Sequence, residues 1–159
     1  MGRVLGLDVG EKTIGVAMSD ETGSMALPGA TIWRQEGHKR DMAALRLLIS
    51  DSKVEAIVVG LPLMMNGSRG IQTEKIEAFV AVLRNNVRIP IYLQDERLST
   101  LEAERVLLAA DRNRAQRKKV IDSMAACILL QTYLDRRAEA ARKEAALQEE
   151  FLDDQETDD

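Results

Sequence analysis

The feature that most constrains the fold is a change of hydrophobic period near Lys39. Before it, residues 3–8 and 13–19 form two short apolar runs joined by Val9-Gly10-Glu11-Lys12, a segment suited to a tight hairpin turn. A third run at 25–33 predicts another strand, interrupted by Pro28 and Gly29. From Lys39 to Ser50 the spacing becomes helical, with Met42, Leu45, Leu48 and Ile49 three and four residues apart.

Strand and helix patterns then alternate. Val54 to Gly60 is β-branched and reads as a buried strand, and Gln72 to Leu83 reads as a helix after a loop containing Asn66-Gly67-Ser68. Residues 89–94 predict a further strand. Ser99 and Glu102 form a capping box for a helix to about Ala110, and a last helix is predicted from about Gln116 past Asp135. Hairpin-linked strands pair antiparallel, whereas strands linked through a helix pair parallel. The expected fold is therefore α/β, a mixed five-stranded sheet with helices on both faces.

Residues 1–138 carry the whole pattern, which predicts one domain there. Residues 139–159 form a charged helical extension and an acidic end, expected to be disordered beyond Phe151. Charge divides the same way. Residues 149–159 hold seven acids and no base, while the other 148 residues carry a net charge of +3. The total of -4 thus hides a mildly basic body. No apolar run reaches the roughly 18 residues that span a bilayer, and no signal peptide opens the chain. A cytoplasmic protein without membrane contact is expected. The single Cys127, in an apolar run, reads as a core residue.

Three acids stand out. Asp8 ends an apolar strand, where a charge is costly unless solvated, paired or bound to metal. Gly6 and Gly10 on either side suggest room for a ligand at the backbone. Asp95 and Glu96 follow the strand at 89–94, the end at which open α/β sheets place ligand groups, and spacing leaves the choice between them open. Asp122 heads the helical stripe Asp122, Ala126, Leu129, Tyr133, so an acid opens an apolar face. Converging carboxylates suit hard divalent cations, Mg²⁺ or Mn²⁺, and such ions promote phosphodiester hydrolysis. Arg112, Arg114, Arg117, Lys118 and Lys119 lie just before Asp122 and are candidate phosphate contacts. Aromatic residues are only 3% of the chain, so base stacking is not expected to dominate binding, and Trp33 and Tyr92 are expected in the core.

LGLDVGEKTIGVAMSD (5–20), IVVGLPLMMNGS (57–68), DERLSTLEAERVL (95–107) and KKVIDSMAACILLQTYLD (118–135) together resemble the YqgF family. Its members are also called RuvX-type Holliday junction resolvases or pre-16S rRNA nucleases. The resemblance implies an RNase H-like fold, with Asp8, Glu96 and Asp122 as the metal-binding and catalytic acids. It alone favours Glu96 over Asp95. It also implies nuclease activity in maturation of the 5′ end of 16S rRNA, with RNA favoured over DNA as partner. The alternatives are resolution of DNA junctions, non-catalytic RNA binding, and an ATP-dependent phosphotransferase, since LGLDVG also opens sugar-kinase and actin-like folds. That last class uses two such domains, and only one copy of the motif is present. Thr13 and Met64 depart from the residues common in the family. The oligomeric state is left open between monomer and weak dimer.

Overall fold

The computed structural model describes residues 2–98 and 123–157. The predicted helix after Ser99, the basic stretch and Asp122 lie outside these residues. Strands β1 (Arg3–Val9) and β2 (Thr13–Ser19) form the antiparallel hairpin. Gly10 N–H donates to the Thr13 carbonyl at 2.8 Å to close its turn. The third run is split into β3 (Ala26–Pro28) and β4 (Ile32–Trp33), both paired antiparallel with β2. Pro28 and Gly29 cause the break: proline has no N–H for a ladder, and Gly29 N–H turns to the Val16 carbonyl at 2.8 Å.

Helix α1 (Lys39–Ser52) ends on Lys53 in the left-handed conformation, φ 52°, which turns the chain into β5 (Val54–Leu61). Helix α2 (Ile71–Asn86) returns it to β6 (Ile91–Asp95). Both β1–β5 and β5–β6 are parallel. A single 3₁₀ turn, Glu96–Leu98, follows β6, and α3 (Met124–Thr157) closes the described chain. The sheet order is β3-β2-β1-β5-β6, with β4 extending the β3 edge. The five expected strand positions are thus filled by six strands.

Alternation along β1 sends Leu5 and Leu7 to one face and Val4, Gly6 and Asp8 to the other. Leu5, Leu7, Ile14, Ile57 and Val59 pack with Met42 and Leu45 of α1 and with Ile76, Phe79 and Leu83 of α2. Val4, Ala17, Ala56 and Val58 pack with Ala126, Leu129, Leu130 and Leu134 of α3. Cys127 is fully buried here, as expected. Gly6 does not leave space for a ligand. A Cβ on it would lie 2.8 Å from Leu130 Cβ and 3.3 Å from the Ala126 carbonyl oxygen, so its missing side chain seats α3.

Two further expectations fail. Trp33 is 72% exposed and Tyr92 46% exposed, so neither is a core residue. Trp33 ends a two-residue edge strand, and Tyr92 stacks on Tyr133 of α3 at 5.9 Å. Helix α3 also continues past Phe151, where composition predicts disorder. Among the described residues no helix is long and apolar enough to cross a membrane.

Candidate active site

The parallel strands β1, β5 and β6 end on the same side of the sheet. Leu7 is registered with Val59, and Gly60 with Gln94, so Asp8, Gly60 and Gln94 follow one another across the strand ends. Asp8 points to the α3 face. Its antiparallel partner is Gly15, where a Cβ would sit 3.6 Å from Asp8 Cβ and 3.7 Å from Ala126 Cβ. Small residues around Asp8 let α3 close over the strand without filling the space beyond it.

Glu96 begins the turn after β6 and reaches back across the sheet. A Cβ on Gly60 would lie 2.8 Å from Glu96 Oε1 and 3.2 Å from its Cγ. The Glu96 carboxylate therefore rests on the bare backbone of β5. Asp8, Gln94, Asp95 and Glu96 line one cleft of about 300 Å³ together with Ala125, Ile128 and Leu129 of α3. Gln94 donates from Nε2 to the Leu129 carbonyl at 3.1 Å, which fixes the α3 wall against β6.

The neighbouring acids differ in charge environment. Arg97 binds Asp95 through Nε at 3.0 Å to each oxygen and through a terminal nitrogen at 2.6 Å. These bonds hold the Asp95 carboxyl below its ordinary range. Glu96 is pushed up, first by burial and then by the charges of Asp8 and Asp95. Asp8 is pushed up by burial. Asp95 is thus committed to an arginine, while Asp8 and Glu96 share a cleft in which negative charge is disfavoured. A cation held there would offset that cost, and hard carboxylate oxygens are the donors Mg²⁺ and Mn²⁺ prefer.

Two predicted site residues, Asp8 and Glu96, are brought together. Asp122 and the basic group Arg112, Arg114, Arg117, Lys118 and Lys119 lie outside the described residues. The stripe continuing from Asp122 does face the sheet: Ala126 and Leu129 are buried and Tyr133 is partly buried. His38 is exposed and packs edge-on to Phe79, with ring centroids 6.2 Å apart. Gly60 and Gln94 were not singled out by sequence. The available signal was a glycine and a buried polar residue at the ends of adjacent apolar strands. The 61–70 loop is a hydrogen-bonded turn, with Met64 N–H to the Ser68 carbonyl at 3.0 Å and Gly67 N–H to the Met64 carbonyl at 2.8 Å. Its Met65 is 96% exposed.

The mixed sheet with acids at its parallel strand ends defines the class: this is an RNase H-like fold. Thermus thermophilus RuvC in complex with a Holliday junction superposes with a TM-score of 0.56 at 17% identity, covering 86% of this chain and 96% of that one. The chain belongs to the RuvX family, described as Holliday junction resolvase, which it matches over residues 2–136. A protein of Desulforamulus reducens named "Putative pre-16S rRNA nuclease" is 50% identical over 133 residues, which is 84% of this chain and 96% of the relative. One of the same name from Caldanaerobacter subterraneus is 52% identical over 134 residues, 84% of this chain and 96% of that one.

Proposed function

We propose that the protein is a divalent-metal-dependent nuclease of the cytoplasm that acts in 5′-end maturation of pre-16S rRNA. The observation that carries this reading is the meeting of Asp8 and Glu96 in one cleft at the strand ends. The names of the relatives favour the rRNA precursor as substrate. Asp8, Glu96 and Asp122 would hold Mg²⁺ or Mn²⁺. When bound, such an ion supplies Lewis acidity that lowers the pKa of water and offsets charge on the leaving oxygen. The chain contributes the placement of the ligands. Gly60 admits the Glu96 side chain, Gln94 anchors the α3 wall, and Arg97 keeps Asp95 in a separate ion pair.

Arg112, Arg114, Arg117, Lys118 and Lys119 are assigned to backbone phosphates, a contact that positions a strand without reading its sequence. Reversing Arg117, Lys118 and Lys119 should weaken RNA binding and flatten its salt dependence. Unchanged affinity and slope would remove the assignment.

The second reading is resolution of four-way DNA junctions, favoured by the family description and the RuvC-like fold. Cleavage of a structured precursor RNA and of a four-way DNA junction, assayed side by side with Mg²⁺ or Mn²⁺, separates the two. Asp8→Asn and Glu96→Gln should each reduce hydrolysis more than about 100-fold, beyond what is usual for groups that only support a metal ligand. Mn²⁺ should raise the Tm of the wild type and leave that of Asp8→Asn nearly unchanged. Equal cleavage by wild type and Asp8→Asn, with contaminating nuclease excluded, would overturn the mechanism.

A further inference from the structure

Trp33 is the single tryptophan of the chain, and the fold leaves it 72% exposed. Its neighbours show which way it points. Ile32 pairs with Ile14 and packs against the core under α1 and α2. Arg34 turns to that same side: its Nε donates to Asp41 of α1 at 2.9 Å, and its guanidinium lies 5.3 Å from the Phe79 ring centroid of α2. Trp33, between them, therefore projects from the opposite face, the one under α3. Its cross-strand partner is Thr13. Thr13 stands two residues before Gly15 and shares its face, and Gly15 is the partner of Asp8. The indole thus occupies the same face and the same end of the sheet as the cleft acids. From strand spacing and rise, its backbone lies roughly 12 Å from that of Asp8, two strands over and two residues nearer the strand ends.

The placement is braced. Arg34 N–H donates to the Lys12 carbonyl at 2.8 Å, and Arg34 Nη1 donates to the Gly10 carbonyl at 2.7 Å. One residue therefore ties the strand that carries Trp33 to the turn that follows Asp8. Asp41, which holds Arg34, is 1% exposed, so the anchor of this brace is buried. The acid of the turn, Glu11, is taken by Lys75 at 2.8 Å. Lys12, next to Thr13, is exposed. A flat aromatic face with a cation close by is the pairing that holds a nucleotide of a single strand, the ring for its base and the charge for its phosphate.

We propose that Trp33 stacks on an unpaired base of the RNA strand, a few nucleotides from the phosphate held at Asp8 and Glu96. The proposal rests on the nuclease reading above. A strand whose scissile phosphate lies at those acids runs across the strand ends, and toward β2 it passes Thr13 to reach the indole. Stacking accepts any base, so the contact sets how the strand is placed over the acids and does not read its sequence. It does require a base with a free face, which makes Trp33 a selector for unpaired RNA at that point.

Because no other tryptophan is present, the emission of Trp33 reports the contact directly. The full-length Asp8→Asn protein, with chelator present, should bind a single-stranded RNA oligonucleotide without cutting it. Labelled RNA gives the binding curve by anisotropy, and tryptophan emission should be quenched along the same curve. When a single abasic residue is moved along the RNA, quenching should disappear at one position and persist at the others. Trp33→Ala, made in the same background, should weaken RNA binding about 5- to 100-fold, the range for loss of one base–aromatic stack. It should leave the salt dependence of binding unchanged, because no phosphate contact is lost. Trp33→Phe should recover most of the affinity. RNA that binds without quenching, or a Trp33→Ala protein that binds as tightly as its parent, would overturn the stacking and leave the nuclease reading standing. RNA that does not bind at all would overturn both.

Discussion

The two faces of the sheet are built by opposite rules. The face under α1 and α2 is filled by large side chains, Leu5, Leu7, Ile57, Val59 and Phe79, whose burial stabilises the fold. The face under α3 sets Val4 and Val58 among small residues, Gly6, Gly15, Ala17, Ala56 and Gly60, with Ala126 above them. Large residues on one side supply stability. Small residues on the other draw a helix close and keep the strand ends open, so acids can stand there.

The comparison breaks first where packing is greatest. Phe79 is 1% exposed and also lies under the Arg34 guanidinium, 5.3 Å from its ring centroid. Phe79→Ala should cost about 3–5 kcal/mol in denaturant unfolding. A loss below about 1 kcal/mol would mean that this face is not the main source of stability.

Gly6→Ala should come next, destabilising by about 1–3 kcal/mol, because the new methyl would meet Leu130 and the Ala126 carbonyl rather than a yielding side chain. Thermal melts would read it. An unchanged Tm would show that α3 can lift at no cost.

Gly60→Ala should act differently from Gly6→Ala, although both add one methyl to the same face. The atom in its way is the end of the flexible Glu96 side chain. Stability should barely change, while metal-dependent hydrolysis should fall about tenfold or more, as a displaced ligand would predict. Recovery of activity at high Mn²⁺ would sharpen the assignment to metal binding.

The smallest effect should be a gain. Asp8 carries a carboxyl whose pKa is pushed up by burial. A raised folded-state value favours the protonated form, so the metal-free protein loses stability as pH rises through and above the ordinary carboxylate range. Asp8→Asn keeps a neutral group there. With chelator present it should be more stable than wild type at neutral pH by about 1 kcal/mol or less after solvent screening. The gap should close toward pH 3. A gap independent of pH would exclude the carboxylate as its cause.

Much of the fold was legible because apolar periodicity reports burial directly. Leu5 and Leu7, and Met42 and Leu45, lie on the faces their spacing assigns. Pro28 and Gly29 marked the break in the edge strand for the reason their chemistry gives. Trp33 and Tyr92 were misread because residue type states a preference for burial and says nothing of whether an element covers that spot.

The site divides along the same line. By itself the sequence determined the order of the described strands and helices and the acids at strand ends, properties of neighbours along the chain. Tertiary structure decided that Asp8 and Glu96, 88 positions apart, share one cleft. It also decided that Asp95 is taken by Arg97 and that Gly60 makes room for the Glu96 carboxylate. Those outcomes depend on strand register and on how closely a helix approaches a sheet, distances that no spacing in the linear chain specifies.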